Sequence, residues 1–395
     1  MSQNDLSIAN QGFASFRSDL NSALQALGST NSGTSAPSTT YANQLFYDTT
    51  NNILKIRNED NDAFISLFTL DQTNDNIEAL TIDGTLTYNG DLVSSTAGTS
   101  NFRAGVNAGN SIQSGGNQNV CVGDEAGTAL TTGDSNTFVG MTAGATISTN
   151  TNNTAIGAFA LDAGTGDSNI AIGAGALGGS SYSANNNLAV GVDAGNSLTS
   201  GTLNNFVGYQ AGKAMTTGTS NTLIGYQTGK ALNTGGSNVA VGANALDAED
   251  GHGANTAIGA NSLGNLNAGV DSHNTAVGYN AGLSVTTGVE NTFVGALAGD
   301  AINDADYNTA LGSGALGLDD LGSFTTAIGR GALAKQNYAS ATNSFNTAVG
   351  ANAGEEVTTG TRNTFLGSLA GDAVTTVNSN TAIGYDAGGA NQTGT

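Results

Sequence analysis

The chain has 395 residues, of which 58 are glycine, one is proline and none is tryptophan. That is about 15% Gly, twice ordinary usage, and only 10% of residues are charged, which points to a repetitive chain rather than an ordinary enzyme domain. Nine basic against 31 acidic residues give a net charge of −22, which excludes a phosphate-tracking surface for nucleic acid; one cysteine and two histidines exclude a disulfide framework and a Cys/His zinc cluster.

The first residues, Met1 to Leu6, have neither a basic start nor an apolar run of leader length, and no later stretch approaches about twenty apolar residues. No membrane insertion is therefore expected. Leu6, Ala9, Phe13, Phe16, Leu20, Ala23 and Leu27 follow alternating spacings of three and four, a heptad seam that predicts a helix over 1–28 ended by Gly28. The seam suits a trimeric coiled coil, and a short amphipathic helix docking on another protein remains open beside it. A Ser/Thr/Gly linker with Pro37 spans 29–42, and a β-rich region spans 43–100. Its predicted meander has strands Gln44 to Tyr47, Ile53 to Arg57 and Ala63 to Leu70, with turns at Asp48 to Asn52 and Asn58 to Asp62.

From 101 to 395 a core of Asn, Thr, a small residue or Phe, Ile or Val, and Gly recurs, mostly every 17 residues. Its closing glycines are Gly123, Gly140, Gly157, Gly173, Gly191, Gly208, Gly225, Gly242, Gly259, Gly278, Gly295, Gly312, Gly329, Gly350, Gly367 and Gly384. Four residues after each comes Gly or Leu. A weaker copy, Asn101 to Gly109, carries Arg103 in an otherwise apolar slot, as a capping turn would. Seventeen residues cannot hold two helices, whereas β-branched triplets bounded by tight turns read as one coil of a parallel β-solenoid. Seventeen coils stacked at about 4.8 Å make a rod on the order of 80 Å long, with an Asn ladder at one corner.

Side chains alternate across a strand, so Thr292 and Val294 face one way and Phe293 the other. Both sides are apolar. The Thr side is expected to be the lumen, since Ile170, Leu188 and Val239 replace Thr there. The opposite slot holds Ala, Cys121, Phe138, Phe206, Leu223, Phe293 and Phe365, and its burial is expected from sister chains in a parallel homotrimer. Longer spacings near Ser180 to Asn186, Gly264 to His273 and Ala334 to Phe345 are expected to be surface loops. The predicted class is mainly β, a parallel β-solenoid homotrimer preceded by a short helix and a small meander.

Residues 36 to 58, Ala-Pro-Ser-Thr-Thr-Tyr-Ala-Asn-Gln-Leu-Phe-Tyr-Asp-Thr-Thr-Asn-Asn-Ile-Leu-Lys-Ile-Arg-Asn, following a helix, resemble the virion-proximal N-terminal part of tail fibres and related structural proteins of tailed bacteriophages. The repeats resemble the head repeats of trimeric autotransporter adhesins, which carry Ala-Ile-Gly cores in a left-handed parallel β-roll trimer. That adhesin family brings a signal peptide and membrane anchor, neither of which is read here, and this favours the phage likeness. The resemblance implies a virion location after assembly in the host cytoplasm. It also implies virion anchoring through Tyr41, Leu45, Phe46, Tyr47, Ile53, Ile56, Phe64 and Leu67, and attachment of the distal rod to a host receptor such as a glycan.

Chemical motifs are weak. Gly173 to Gly178 and Gly312 to Gly317 match a dinucleotide fingerprint but lie inside the repeat, without a βαβ unit. Asp304-Ala-Asp306-Tyr-Asn308 lacks the Gly and final carboxylate of a calcium loop. His252 and His273 are expected in solvated loops, and Cys121 as a small core residue. Glu249-Asp250, Asp319-Asp320 and Glu355-Glu356 are expected as solvated charge rather than the paired carboxylates of a glycan-cleaving tailspike. The pairs at Thr131, Thr216, Thr286 and Thr358 fall on separated turns, which argues against an ice-ordering Thr plane. The expectation is a non-enzymatic, cofactor-free structural fibre for host attachment, the alternative being an intermediate or capsid-bound fibre segment without a receptor site.

Overall fold

The computed structural model describes Ser18, Leu20, Asn21 and Leu24 together with residues 32–38, 40–71, 76–80, 97–179, 182–249 and 251–389. The chain divides into two units, Met1–Leu92 and Val93–Thr395. Ser18, Leu20, Asn21 and Leu24 are helical and exposed. The other seam residues, Leu6, Ala9, Phe13, Phe16, Ala23 and Leu27, lie outside the described residues.

The first unit contains β1 (Ser32–Gly33), β2 (Leu45–Asp48), β3 (Ile53–Arg57), β4 (Phe64–Asp71) and β5 (Asn76–Leu80), hydrogen-bonded in that order. β1 runs parallel to β2 and the remaining pairs are antiparallel. The three expected meander strands are present within a residue of their predicted ends. β1 falls in the stretch read as a linker, and β5 begins where a polar connection was expected. Asp48 closes the β2–β3 turn by accepting Thr50 N–H at 3.0 Å and Asn51 N–H at 3.2 Å. The next turn closes on Asn58 Oδ1, which accepts Asp62 N–H at 3.1 Å and Ala63 N–H at 3.2 Å.

The second unit is a single parallel β-solenoid. Seventeen three-residue strands, from Phe102–Ala104 to Thr381–Ile383, each pair with the next in level register. At about 4.8 Å per step this ladder extends about 77 Å. A minor two-strand sheet pairs Gly322–Ser323 of an ordinary turn with Thr342–Asn343 of the longer turn that follows.

Three columns hold the turns together. The residue before each strand is Asn except at Thr325 and is buried except at Asn380, and the Asn carbonyl accepts from the backbone N–H of its counterpart in the next turn, as in Asn153 N–H to Asn136 Oδ1 at 3.0 Å. The same amide donates to a backbone carbonyl further round the coil, as in Asn136 Nδ2 to Asn150 O at 2.9 Å. The left-handed residue at this corner is not the ladder Asn itself but the residue preceding it, such as Ser135 at φ 59°. The expected turn glycines all occupy positive φ, and at Gly140, φ 135°, an added Cβ would lie 2.6 Å from the Gly157 carbonyl. Glycine is needed there for both conformation and stacking distance.

The lumen is the reverse of the expected one. The middle strand residue points inward in every turn, and Cys121, Phe138, Phe206, Leu223 and Phe293 are 0% exposed in one isolated chain, with Phe365 at 1%. These residues therefore do not pack against sister chains. The outward positions are the Thr and Ile/Val slots, which alternate with a buried centre in every strand but the first and the last, as in Thr137–Val139. The physical reason is size. A 17-residue coil encloses a narrow channel, and every inward position is tuned to it. Phe138 is flanked by Gly127 and Gly144, where an added Cβ would lie 2.8 and 2.6 Å from its ring. Gly195 and Gly212 make the same room for Phe206. Behind Ala155, Ala171, Ala240, Ala257, Ala310 and Ala327 the slot four residues after the turn glycine is a buried Leu, namely Leu161, Leu177, Leu246, Leu263, Leu316 and Leu333, whereas behind Ala189, Ala276 and Ala348 it is Gly, because the next turn carries a Phe. Close packing thus alternates between one Phe with two glycines and Ala with Leu.

The longer turns also depart from expectation. They send side chains inward rather than forming only surface loops. Tyr182 is 1% exposed, fills the space beside Gly164, and donates its hydroxyl to Asn169 Oδ1 at 2.6 Å. Leu266, Ser272, Gln336 and Tyr338 are likewise buried.

Candidate interaction surfaces

Outward strand residues form a continuous stripe. Its first column carries Thr256, Thr275, Thr292, Thr309, Thr326, Thr347, Thr364 and Thr381 on eight successive strands, and its second carries Ile or Val on most strands, with Leu311 and Leu366. Neighbouring turns therefore do carry aligned threonines, at the strand positions rather than at the Thr pairs considered from sequence. None of the outward strand residues is charged. Ile172, Ile224, Leu311 and Leu366 are exposed even with their ladder neighbours in place.

Aromatic rings border the stripe. Tyr307, Phe324 and Phe345 occupy the left-handed corner on three successive turns and stack with centroids 4.8 and 5.4 Å apart. After the turn glycine, Tyr209 and Tyr226 stack at 5.4 Å. All five rings are exposed. The corner rings had no sequence signal except their place one residue before the Asn ladder, where Ser is common.

A polar groove of about 360 Å³ is lined by Gln227, Asn244, Asp247, Asn261, Gly264, Asn265 and Leu283. Its amides belong to an outer ladder in which Gln227 Nε2 donates to Gln210 Oε1 at 2.9 Å and Asn261 Nδ2 to Asn280 Oδ1 at 3.0 Å. Burial raises the Asp247 carboxyl above the usual range, and the Lys230 charge partly opposes this.

Two acidic residues read as solvated charge are instead wholly buried. Glu249 and Asp319 occupy the lumen slot that holds Leu130, Ile147 and Met215 in other turns. Glu249 Oε1 accepts His252 N–H at 3.0 Å and lies 3.4 Å from His252 Nδ1, so the half-buried His252 is tied to the channel wall. Asp319 Oδ2 accepts Gln336 Nε2 at 2.6 Å, and Gln336 Oε1 accepts Asn346 Nδ2 at 2.8 Å. Asn346 Nδ2 also reaches the Tyr338 hydroxyl at 3.1 Å. Desolvation pushes Asp319 up to about 6, against the lowering effect of the Gln336 hydrogen bond. Glu356, in contrast, is exposed and paired with Lys335. His273 is exposed beside Asp271 O.

Cys121 is sealed in the channel, where burial pushes its thiol up to about 11, unsuited to nucleophilic work. Asp306, in the segment resembling the start of a calcium loop, accepts Val289 N–H at 2.8 Å as a corner residue. Among the described residues, no three His, Cys, Asp or Glu side chains converge to hold a metal ion.

In the first unit the expected anchoring residues divide. Phe46 is buried and packs at a tilt against Phe64, ring centroids 5.5 Å apart, while Tyr41 and Leu45 are exposed. Tyr47, Ile53, Ile56 and Leu67 are half-buried. The Arg57 guanidinium lies 5.0 Å from the Phe64 ring. Asp48 holds Lys55 Nζ at 2.9 Å and Asn51 Nδ2 at 3.0 Å, and these contacts keep its carboxyl well below the usual range.

No protein-family model, curated protein or solved structure matches the chain.

Proposed function

We propose that the chain is a non-catalytic fibre protein of a tailed bacteriophage. Three parallel copies form the fibre, the first unit anchors it to the particle, and the solenoid projects outward for attachment to the host surface. The observation that carries this reading is the rod of seventeen level turns, whose outward strand residues are free of charge in a chain of net charge −22. A long, repetitive object with one bare stripe is suited to bundling and reach, and three copies bring equivalent weak receptor sites to bear together. Exposed Tyr41 and Leu45 of the first unit offer a contact of their own for anchoring.

The test is competition for adsorption, together with labelling of particles. Antibody against the chain is expected to decorate tail-associated fibres of phage particles encoding it. Purified full-length chain is expected to slow adsorption, and chain lacking residues 346–395 to lose that effect. Particles without label, or adsorption indifferent to the full-length chain, overturn the host-attachment reading. Release of oligosaccharide from capsular or lipopolysaccharide glycans by the purified chain overturns its non-catalytic part.

A further inference from the structure

We infer that the charge-free stripe is the face through which copies of this chain pack side by side, parallel and level turn for turn. The inference deepens the fibre proposal and rests on it for the parallel direction, because a fibre places its anchoring units at one end. The face itself stands on the geometry of a single chain.

The first argument is charge. Asp and Glu outnumber Lys and Arg by 31 to 9, yet no charge falls on an outward strand position in any of seventeen strands. An acidic rod in water has no physical need to keep one side bare. A side that meets another acidic rod does, since like charges facing each other are costly and an uncharged strip with an exposed apolar column of this length marks a contact surface.

The second argument is area. Seventeen strands at about 4.8 Å, each presenting three residues at about 3.3 Å, give a stripe on the order of 800 Å² per copy. A standard stable interface buries about that much from each partner.

The third argument identifies the occupant. A partner for the whole stripe must repeat its own features at the same axial step over about 77 Å. The same stripe on another copy has that step by construction, and level register sets every coil against its equivalent. The Phe column is sealed inside each coil and cannot supply the contact.

The test uses the full chain with Cys121→Ala, which places at that slot the residue most turns already have. Packed sheets lie about 10 Å apart, beyond the span of a disulfide, so a short bis-maleimide is the suitable probe. Val294→Cys, on the stripe, is expected to yield a linked pair at least tenfold more abundantly than Thr287→Cys, an exposed position outside it. Equal linking at both positions, or none at Val294, overturns the inference. Val294→Asp, checked for an unchanged circular dichroism spectrum, is expected to weaken side-by-side association of the rods in light scattering. A wild-type chain that stays at 39.0 kDa, above all one whose stripe orders ice and shows thermal hysteresis, also overturns it. Val294 and Val190 lie on the twelfth and sixth of the seventeen strands, so they face each other only in an antiparallel pair. Linking between separately prepared Val294→Cys and Val190→Cys chains therefore overturns the parallel register and with it the fibre reading. Linking at Val294 alone, with no effect of the chain on adsorption, removes host attachment and leaves the shared face standing.

Discussion

Two carboxylates, one in each unit, are treated in opposite ways. In the meander, Asp48 is a charged hub that gathers two backbone amides, Asn51 Nδ2 and Lys55 Nζ, and those contacts favour its ionised form. In the solenoid, Asp319 takes a slot built for an aliphatic side chain, and burial disfavours its ionised form. The difference teaches that a repeat imposes its slots on whatever residue arrives, whereas a turn outside a repeat is shaped by its own side chains. It also means that acid should act on the two units with opposite sign.

The largest effect tests the slots themselves. Phe293→Ala empties a channel space that Gly282 and Gly299 leave open for the ring, and is expected to cost about 3–5 kcal/mol. Adding Leu at both glycine positions recreates the Ala-with-Leu filling seen at Ala310 and Leu316, and should recover a large part of that loss. Leu already tolerates the required backbone, as at Leu316 with φ 53°. Urea unfolding of the single, double and triple variants measures the coupling; strictly additive losses would contradict a shared channel volume.

Next comes pH. Asp319 is raised by burial from 3.8 to about 6, so the folded solenoid binds this proton more tightly than the unfolded chain. Its stabilising contribution is complete below about pH 4 and is lost as pH rises through about 6, a swing on the order of 3 kcal/mol for this group. Asp319→Asn should flatten that part of the profile while retaining an acceptor for Gln336. An unchanged profile in the variant would remove Asp319 as the cause.

Asp48 runs the other way. Its folded carboxyl is held below the unfolded value of 3.8, so its contribution is present above that pH and is lost as pH falls further. Hydrogen exchange at pH 3 and pH 6 separates the two units without assuming that they unfold together. Amides of β2 and β3 should lose protection at the lower pH. In Asp48→Asn they should be weaker at pH 6 and change less between the two values.

Much of this was legible in the residues, and the part that was not has identifiable causes. The 17-residue period, the turn glycines and the Asn ladder follow from identity repeated at fixed spacing, and the meander strands from alternation between turn signals. The lumen side was misassigned because alternation says only that two faces differ, and both faces here are apolar. The deciding signal lay across turns. Each Phe at a strand centre comes with Gly at the later slot in its own and the preceding coil, as with Phe206, Gly212 and Gly195. Only residues sharing an interior feel one another's volume in this way. Glu249 and Asp319 were misplaced because adjacency to Asp250 and Asp320 suggested a loop. Counting along the repeat instead aligns them with Leu130 and Ile147. Helical packing of the heptad seam falls outside the described residues.

The smallest effect tests whether the corner rings serve stability. Ser135, Ser168, Ser220 and Ser237 occupy the left-handed corner in other turns, so Phe324→Ser restores a residue the coil already uses. Stacking between Tyr307, Phe324 and Phe345 contributes about 0.5–1.5 kcal/mol per pair. Against this, a bulky side chain in left-handed backbone carries strain that serine tolerates more readily. The two effects oppose, and the net loss in Phe324→Ser should stay below about 1 kcal/mol, visible as a small shift in the urea midpoint with an unchanged slope. A loss comparable to that of Phe293→Ala would make the exposed rings part of the structural core. A small loss, with weakened side-by-side association of the rods, would instead place them at the edge of the contact formed by the bare stripe.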